Sequence, residues 1–364
     1  MADPAPDMTA AEAAPALPDA PFTLTPIERV ALAALVANPD QMRRRLTGWR
    51  RTPLIITGVA ETWGDAVNDG ALATLMRTAK PDVSLAVNRT PRGGPDHPAD
   101  VMAVPDFLNA VFERRETARV FGLNSAHFPA ETIGAFRPPS DLLSVLPIRD
   151  RYFGIETGML FIGNNASVDI HYDREWNDLM HIALAGRRRI TVFPPDQNIA
   201  LYKLPLISDS ALDFCHLPAD AVGLDQAVGQ QCILEPGEML VLPARYWHFI
   251  EYIEPSAAVS YSYYTNRVTW ALGTLNGFFY NGFSVVNTFH QTRWFRRWGS
   301  WYARTRAGLR FGRSGGLAGR GVKRLGLWAV DLSERVVYCA LWYPMLFWFL
   351  ARYRGGTDIY SGKS

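Results

Sequence analysis

Apolar residues along this 364-residue chain switch from helical spacing to short strand-like runs near residue 152, and back again near residue 266. From Ile27 to Ala37 they recur at helical intervals (Ile27, Val30, Ala31, Ala34, Leu35), with Thr25 placed as a cap and Pro26 at the first helical position. Asn38-Pro39 should stop that helix, because a residue preceding proline is pushed out of the α region, and a second short helix is expected to about Leu46. Pro53–Val59 is a β-branched run that reads as a buried strand. Residues 70–80 and 104–115 return to helical spacing, and the Pro/Gly-rich stretch Thr90–Pro98 reads as a loop.

Eight strand candidates then follow: Gly158–Gly163, Val168–Asp173, Leu179–Leu184, Arg188–Phe193, Gln231–Leu234, Met239–Leu242, His248–Ile253 and Ala257–Tyr264. Gly186 and the tetrapeptide Glu235–Glu238 supply turns between them. Many short strands without interleaved helices point to a sandwich or jelly roll and not to a βαβ fold. The expected organisation is a disordered tail over 1–22, a helical and strand region over 23–150, a jelly-roll core over 151–266, and a helical extension over 267–364.

Composition adds little to the fold: 48% hydrophobic and 20% charged residues are ordinary for a globular chain. The net charge of +2 hides a strong asymmetry. Residues 1–22 hold four acids and no base, whereas residues 291–354 hold thirteen Arg or Lys against Asp331 and Glu334 alone. Three scattered cysteines form neither a disulfide framework nor a Cys-based zinc site, which fits a reducing, cytoplasmic setting. The N-terminus lacks the basic and apolar regions of a signal peptide.

Three residues carry candidate chemistry. His171 and Asp173, two apart on a strand, emerge on one face and can reach one metal ion. His248 lies 77 residues later and joins them only if the sheet folds back on itself. Alone, an H-x-D tripeptide arises by chance, and a histidine between Trp247 and Phe249 reads as core; the combination is what points to a metal. Two His and one carboxylate leave adjacent positions open on Fe(II), which suits O2 activation beside a chelating co-substrate.

HYDREWNDLMHIALAGRRRITVFPPDQ, followed by LEPGEMLVLPARYWHFIEYI, resembles the cupin-like branch of the JmjC oxygenases, a group that includes the asparaginyl hydroxylase inhibiting hypoxia-inducible factor. Thr52–Trp63 is similar to the family's entry strand, so the resemblance covers about residues 25–266. It implies a double-stranded β-helix, Fe(II) on His171, Asp173 and His248, and 2-oxoglutarate with its far carboxylate on Arg188, where relatives usually have Lys. Arg188 would share an inward face with Ile190 and Val192, while Arg187 and Arg189 point outward; the bland alternative is a solvated basic strand. Asn177, Ser262 and Tyr263 are the further co-substrate candidates, and Trp176 and Tyr246 the candidates for the substrate side. Val168 stands where relatives carry Thr or Ser, and Ser262 or Tyr263 where they carry Asn. The implied activity is hydroxylation of a protein side chain or a small molecule. The alternatives are a catalytically silent metal-binding cupin or a membrane-associated scaffold.

The C-terminal run VVYCALWYPMLFWFLA, residues 336–351, is short for a bilayer span and interrupted by Pro344. Its two readings are a homodimer interface, as similar enzymes use, and docking at the inner face of a membrane through the neighbouring arginines. No nucleic-acid module is recognisable.

Overall fold

The computed structural model describes residues 21–64, 70–91, 99–146, 148–149, 158–282, 292–312 and 316–353. Most of the expected tail (residues 1–20) and of the Thr90–Pro98 loop (residues 92–98) lies outside them. Chain order begins with β1 (Thr23–Pro26), β2 (Glu28–Ala31), α1 (Leu32–Val36), α2 (Pro39–Thr47) and β3 (Leu54–Thr57). There follow α3 (Ala71–Thr78), β4 (Ser84–Val87), β5 (Asp100–Ala103), α4 (Val104–Phe112), β6 (Ala118–Leu123), α5 (Ala130–Ala135), α6 (Ser140–Ser144) and β7 (Ile148–Arg149). The strand-rich part comprises β8 (Met159–Asn164), β9 (Ala166–His171), β10 (Asp178–Ala185), β11 (Arg188–Phe193), β12 (Val228–Leu234), β13 (Met239–Leu242), β14 (Trp247–Tyr252) and β15 (Ser256–Tyr264). Three helices close the described chain: α7 (Arg267–Gly282), α8 (Arg293–Phe311) and α9 (Gly316–Tyr353).

Strands β8 to β15 build a jelly roll. One sheet runs β12-β11-β14-β9 and the other β13-β10-β15-β8, so the chain crosses between sheets at almost every step. All eight strands overlap the runs read from the sequence, β11 and β13 with the same bounds, whereas β9 lies two residues earlier than the expected Val168–Asp173. N-terminal elements enlarge both sheets: β1 lies beside β12, β3 and β2 continue the second sheet beyond β13, and β6 continues it beyond β8.

The N-terminal segment corrects the expected helix over 27–37. Only Leu32–Val36 is helical; Thr23–Pro26 runs parallel to β12 and Glu28–Ala31 parallel to β3. A helix of that length has few internal hydrogen bonds to offset its nucleation, whereas two open sheet edges satisfy the backbone directly. Thr25 therefore caps nothing, and Pro26 sits on an edge strand, where its missing N–H costs no ladder bond. Asn38 does act as a cap, its Oδ1 accepting from Gln41 N 3.1 Å away at the start of α2. Phe22, at the boundary of the expected tail, is buried edge-on against Phe193 and stacked with Phe214.

The larger sheet is covered on its outer face by helices. Leu46, Leu75, Phe107, Leu108, Phe128, Ile133 and Phe136 pack there against Met180, Ile182, Val259 and Tyr261. Each such side chain contributes roughly 1.5–3 kcal/mol by leaving water. The inner face meets the other sheet through Ala183, Ile190, Val192, Leu240 and Leu242. β15 is therefore buried along its whole length, with alternate residues facing helices and cavity.

Candidate metal centre

His171 ends β9 and stands directly opposite His248 on β14. Their ring centroids are 4.3 Å apart, and each Nε2 lies 3.9 Å from Asp173 Oδ1. One donor atom from each residue falls within 4.8 Å of the other two. Asp173 reaches this point differently from the strand-face expectation: β9 stops at His171, and Asp173 opens a turn in which Trp176 N donates to Asp173 O at 3.4 Å. The strand ends because Tyr172 N donates to Ser208 O instead of continuing the ladder.

The donor chemistry fits a divalent metal. His171 Nδ1 lies 2.7 Å from Asp169 O and His248 Nδ1 3.2 Å from Tyr246 O. As donors to those carbonyls, both Nδ1 atoms leave the Nε2 lone pairs facing Asp173, the usual second-sphere orientation of metal-binding imidazoles. Burial, then the adjacent His171, pushes His248 down to about 3, so it is a neutral ligand. Burial raises Asp173 above the ordinary carboxylate range, with His171 opposing the shift. A cation among these three atoms would relieve that penalty.

A cavity of about 590 Å³ between the sheets is lined by all three residues. Its walls are mostly apolar, with Leu179, Ile190, Leu242 and Ile250 among them. Arg188 lines the same cavity, fully buried. His248 pairs with Val192, four residues along β11 from Arg188, which places the arginine about 13 Å away along the strand. The guanidinium donates to Phe161 O and to Ser256 Oγ, each at 3.2 Å, and from Nη1 to His181 Nε2 at 3.1 Å. It also lies 4.9 Å over the Tyr252 ring. Among the described residues it has no carboxylate partner, and its Nε has no hydrogen bond. Burial lowers its pKa from the usual arginine value. Of its neighbours, Arg187 points outward and pairs with Glu254 at 3.1 Å, whereas Arg189, turned away from the cavity, is buried in a pair with Glu251 at 3.3 Å.

The other candidates divide. Asn177 and Ser262 line the cavity, with Asn177 Nδ2 donating to Ser262 Oγ at 2.5 Å and Asn177 Oδ1 left without a partner. Tyr263 is turned away, correcting its assignment to the co-substrate: the two-residue period of β15 sends it to the helix-covered face, where its hydroxyl donates to Leu46 O at 2.9 Å. Trp176 and Tyr246 do not line this cavity either. Arg245 stacks on Trp176 at 5.2 Å, and Tyr246 OH reaches Arg51 O at 3.4 Å; both adopt places set by the turns around them.

His181, which the sequence did not single out, also lines the cavity. Its Nδ1 lies 2.6 Å from Ser260 Oγ, and burial followed by Arg188 holds it well below the ordinary imidazole value. It is thus a neutral acceptor for Arg188. The even spacing of His181 from Leu179, and of Ser260 from Ser262, was the available signal. Helix α7 was missed as a buttress: Asn276 Nδ2 donates to Arg174 O, and Gly273 lies so close to Glu175 that a Cβ would come within 1.9 Å of its carbonyl oxygen. Arg51 supports the same loop from below, 2.6 Å from the buried Asp178, which also accepts from Ala244 N at 2.7 Å.

Two relatives are similar over short stretches. A zebrafish (Danio rerio) HSPB1-associated protein 1 homolog is 29% identical over 103 residues, covering 26% of this chain and 23% of its own. A Xenopus tropicalis lysine-specific demethylase 8 is 31% identical over 100 residues, covering 25% of this chain and 21% of its own. The chain thus matches less than a quarter of the length of either relative. A family model is matched far more extensively, over residues 39–268, which take in α2, the jelly roll and all three metal-facing side chains. On that match, and on the sheet order and the His-Asp-His cluster, the chain belongs to the cupin-like domain family of JmjC type.

Proposed function

We propose that this chain is an Fe(II)- and 2-oxoglutarate-dependent oxygenase that hydroxylates a C–H bond of a protein side chain or small molecule. The observation that carries the reading is the buried, carboxylate-free guanidinium of Arg188 in the cavity that also contains His171, Asp173 and His248. A fully buried cation without a counter-charge is costly unless an anion joins it. A dicarboxylate co-substrate would supply that anion.

His171, Asp173 and His248 would hold the iron, with the Asp169 and Tyr246 carbonyls fixing both imidazoles. Bound iron, with O2 and the oxo-acid, supplies the oxidant for C–H hydroxylation while 2-oxoglutarate becomes succinate and CO2. Arg188 would take the far carboxylate through its fork, oriented by His181, Ser256 and the Phe161 carbonyl. Asn177 and Ser262 offer polar contacts beside the ligand loop, and the apolar walls exclude water from the reacting face. A second cavity of about 760 Å³ shares Arg119, Asp169 and Asp209 with the first, and is a route by which substrate could approach. The relative named as a lysine-specific demethylase supports a protein side chain as substrate.

The test is succinate formation from 2-oxoglutarate after anaerobic Fe(II) loading, with peptide and metabolite candidates. Wild type should turn over, and His248→Ala should neither retain iron nor form succinate. Iron bound stoichiometrically without turnover on any candidate would replace this reading with a ligand-binding cupin.

A further inference from the structure

Helices α8 and α9 present an outward surface that the catalytic reading does not use. α9 packs inward through the buried Val330, through Lys323, which donates to Gly312 O, and through Glu334, which accepts from Leu206 N at 2.8 Å. On its opposite side, Val322, Leu325, Leu332, Val336 and Tyr343 are 69, 67, 39, 59 and 64% exposed. With the exposed Ala329 and Cys339 they follow alternating spacings of three and four residues, so they form one apolar stripe about 32 Å long. Exposed contiguous apolar surface of this length marks a contact site.

Charge selects the occupant. Arg293, Arg297, Arg304 and Arg310 on α8, and Arg324 and Arg335 on α9, are exposed. α8 contains no acid, and both acids of α9 are paired: Asp331, its side chain 39% exposed, with Arg306 of α8 at 2.9 Å, and Glu334 with Lys203 at 3.4 Å. The exposed charge of the two helices is thus predominantly positive, with Asp331 neutralised by Arg306. Trp294 and Trp301 stand among the α8 arginines, 54 and 50% exposed. A second copy laid on this surface would bring like charges together. A nucleic acid would neutralise them but has no counterpart for a long aliphatic stripe. An anionic lipid surface satisfies all three features: headgroups for arginine, the interfacial layer for tryptophan, and acyl chains for the stripe. No helix among the described residues is long and apolar enough to cross a membrane. We propose that α8 and α9 form a peripheral docking surface for anionic phospholipid membranes.

The experiment is co-sedimentation of the full chain with phosphatidylcholine vesicles with and without phosphatidylglycerol, at low and high salt. Light scattering records the oligomeric state in parallel. Wild type should pellet only with the anionic vesicles, release in salt, and show a blue shift of tryptophan emission. Arg293→Glu/Arg297→Glu/Arg304→Glu should lose roughly a hundredfold or more in partitioning, at about tenfold or somewhat less per basic residue removed. Leu325→Ser/Leu332→Ser should lose the blue shift. These are surface positions, and an unchanged circular dichroism spectrum checks that each variant is folded. Failure of wild type to bind anionic vesicles, or binding unaffected by the arginine reversals, overturns the proposal. So does a dimer that Leu325→Ser/Leu332→Ser converts to monomer without changing vesicle binding, which would assign the stripe to a second copy.

Discussion

Replacing Arg188 with Met separates the fold from the co-substrate. The side chain is fully buried, with hydrogen bonds to Phe161 O, Ser256 Oγ and His181 Nε2 but no carboxylate. Met fills similar volume without charge. It leaves up to three acceptors unpaired at about 1–3 kcal/mol each, and removes an ion whose desolvation costs several kcal/mol. These effects oppose one another, so the unfolding free energy should change by less than about 2 kcal/mol, which for a protein of this size is under roughly 3 °C in Tm. Co-substrate binding has no such compensation. Removing one member of a buried, hydrogen-bonded charge pair costs about 2–5 kcal/mol, or roughly thirtyfold to several thousandfold in affinity. Thermal unfolding under anaerobic Fe(II), with and without 2-oxoglutarate, measures both effects. At a hundred times the wild-type Kd the co-substrate should stabilise wild type by about 2.7 kcal/mol and the variant by less than about 0.9 kcal/mol. A folded Arg188→Met protein whose co-substrate affinity stays within about threefold of wild type would refute the assignment. Arg188→Lys, which keeps a point charge without the fork, should retain intermediate affinity and serves if the Met variant unfolds.

Three other perturbations read the supports of the site. His248 is held at about 3 against an ordinary 6.5, so its contribution to metal-free stability is complete above pH 6.5 and is lost as pH falls towards 3. His248→Gln should flatten that decline by up to about 1.4 kcal/mol per pH unit in equilibrium unfolding, while His181 keeps its own share; equal slopes would contradict a neutral buried imidazole. Asp173, shifted upward by burial, acts with the opposite sign above pH 3.8. Gly273→Ala forces a Cβ to within 1.9 Å of Glu175 O and must displace the loop carrying Asp173 and Asn177. Metal affinity should fall at least tenfold, read by calorimetry with Mn(II), and an unchanged value would show that α7 does not set the loop. Arg51→Ala leaves the buried Asp178 carboxylate without its cation, and should cost about 3–5 kcal/mol in denaturant unfolding. A loss below 1 kcal/mol would show the pair to be dispensable.

Local patterning made the jelly roll legible. Strand candidates were short, β-branched or alternating, and separated by turn residues, and the glycine at position 186 adopts a φ of +60° beneath Pro255. The metal-facing residues were legible as well, because H-x-D and a distant histidine after Pro243 form a pattern whose chemistry requires convergence. Residues 23–31 misled: their apolar spacing serves a helix or an edge strand equally, and the choice went to whichever offered backbone partners. β12 and β3, about 200 and 25 residues downstream, offered them. Local periodicity cannot record such long-range pairing.

On its own, the amino-acid order determined which residues could be metal ligands, which segments could be strands, and that Arg188 should share a face with Ile190. Those properties follow from side-chain chemistry and the two-residue period of extended backbone. Tertiary structure decided the rest: that β9 stops at His171 so that a turn delivers Asp173, that Tyr263 faces helices while Ser262 faces the cavity, and that His181 supports Arg188. Each of these depends on register between strands remote in sequence, and a shift of one residue would reverse every side chain.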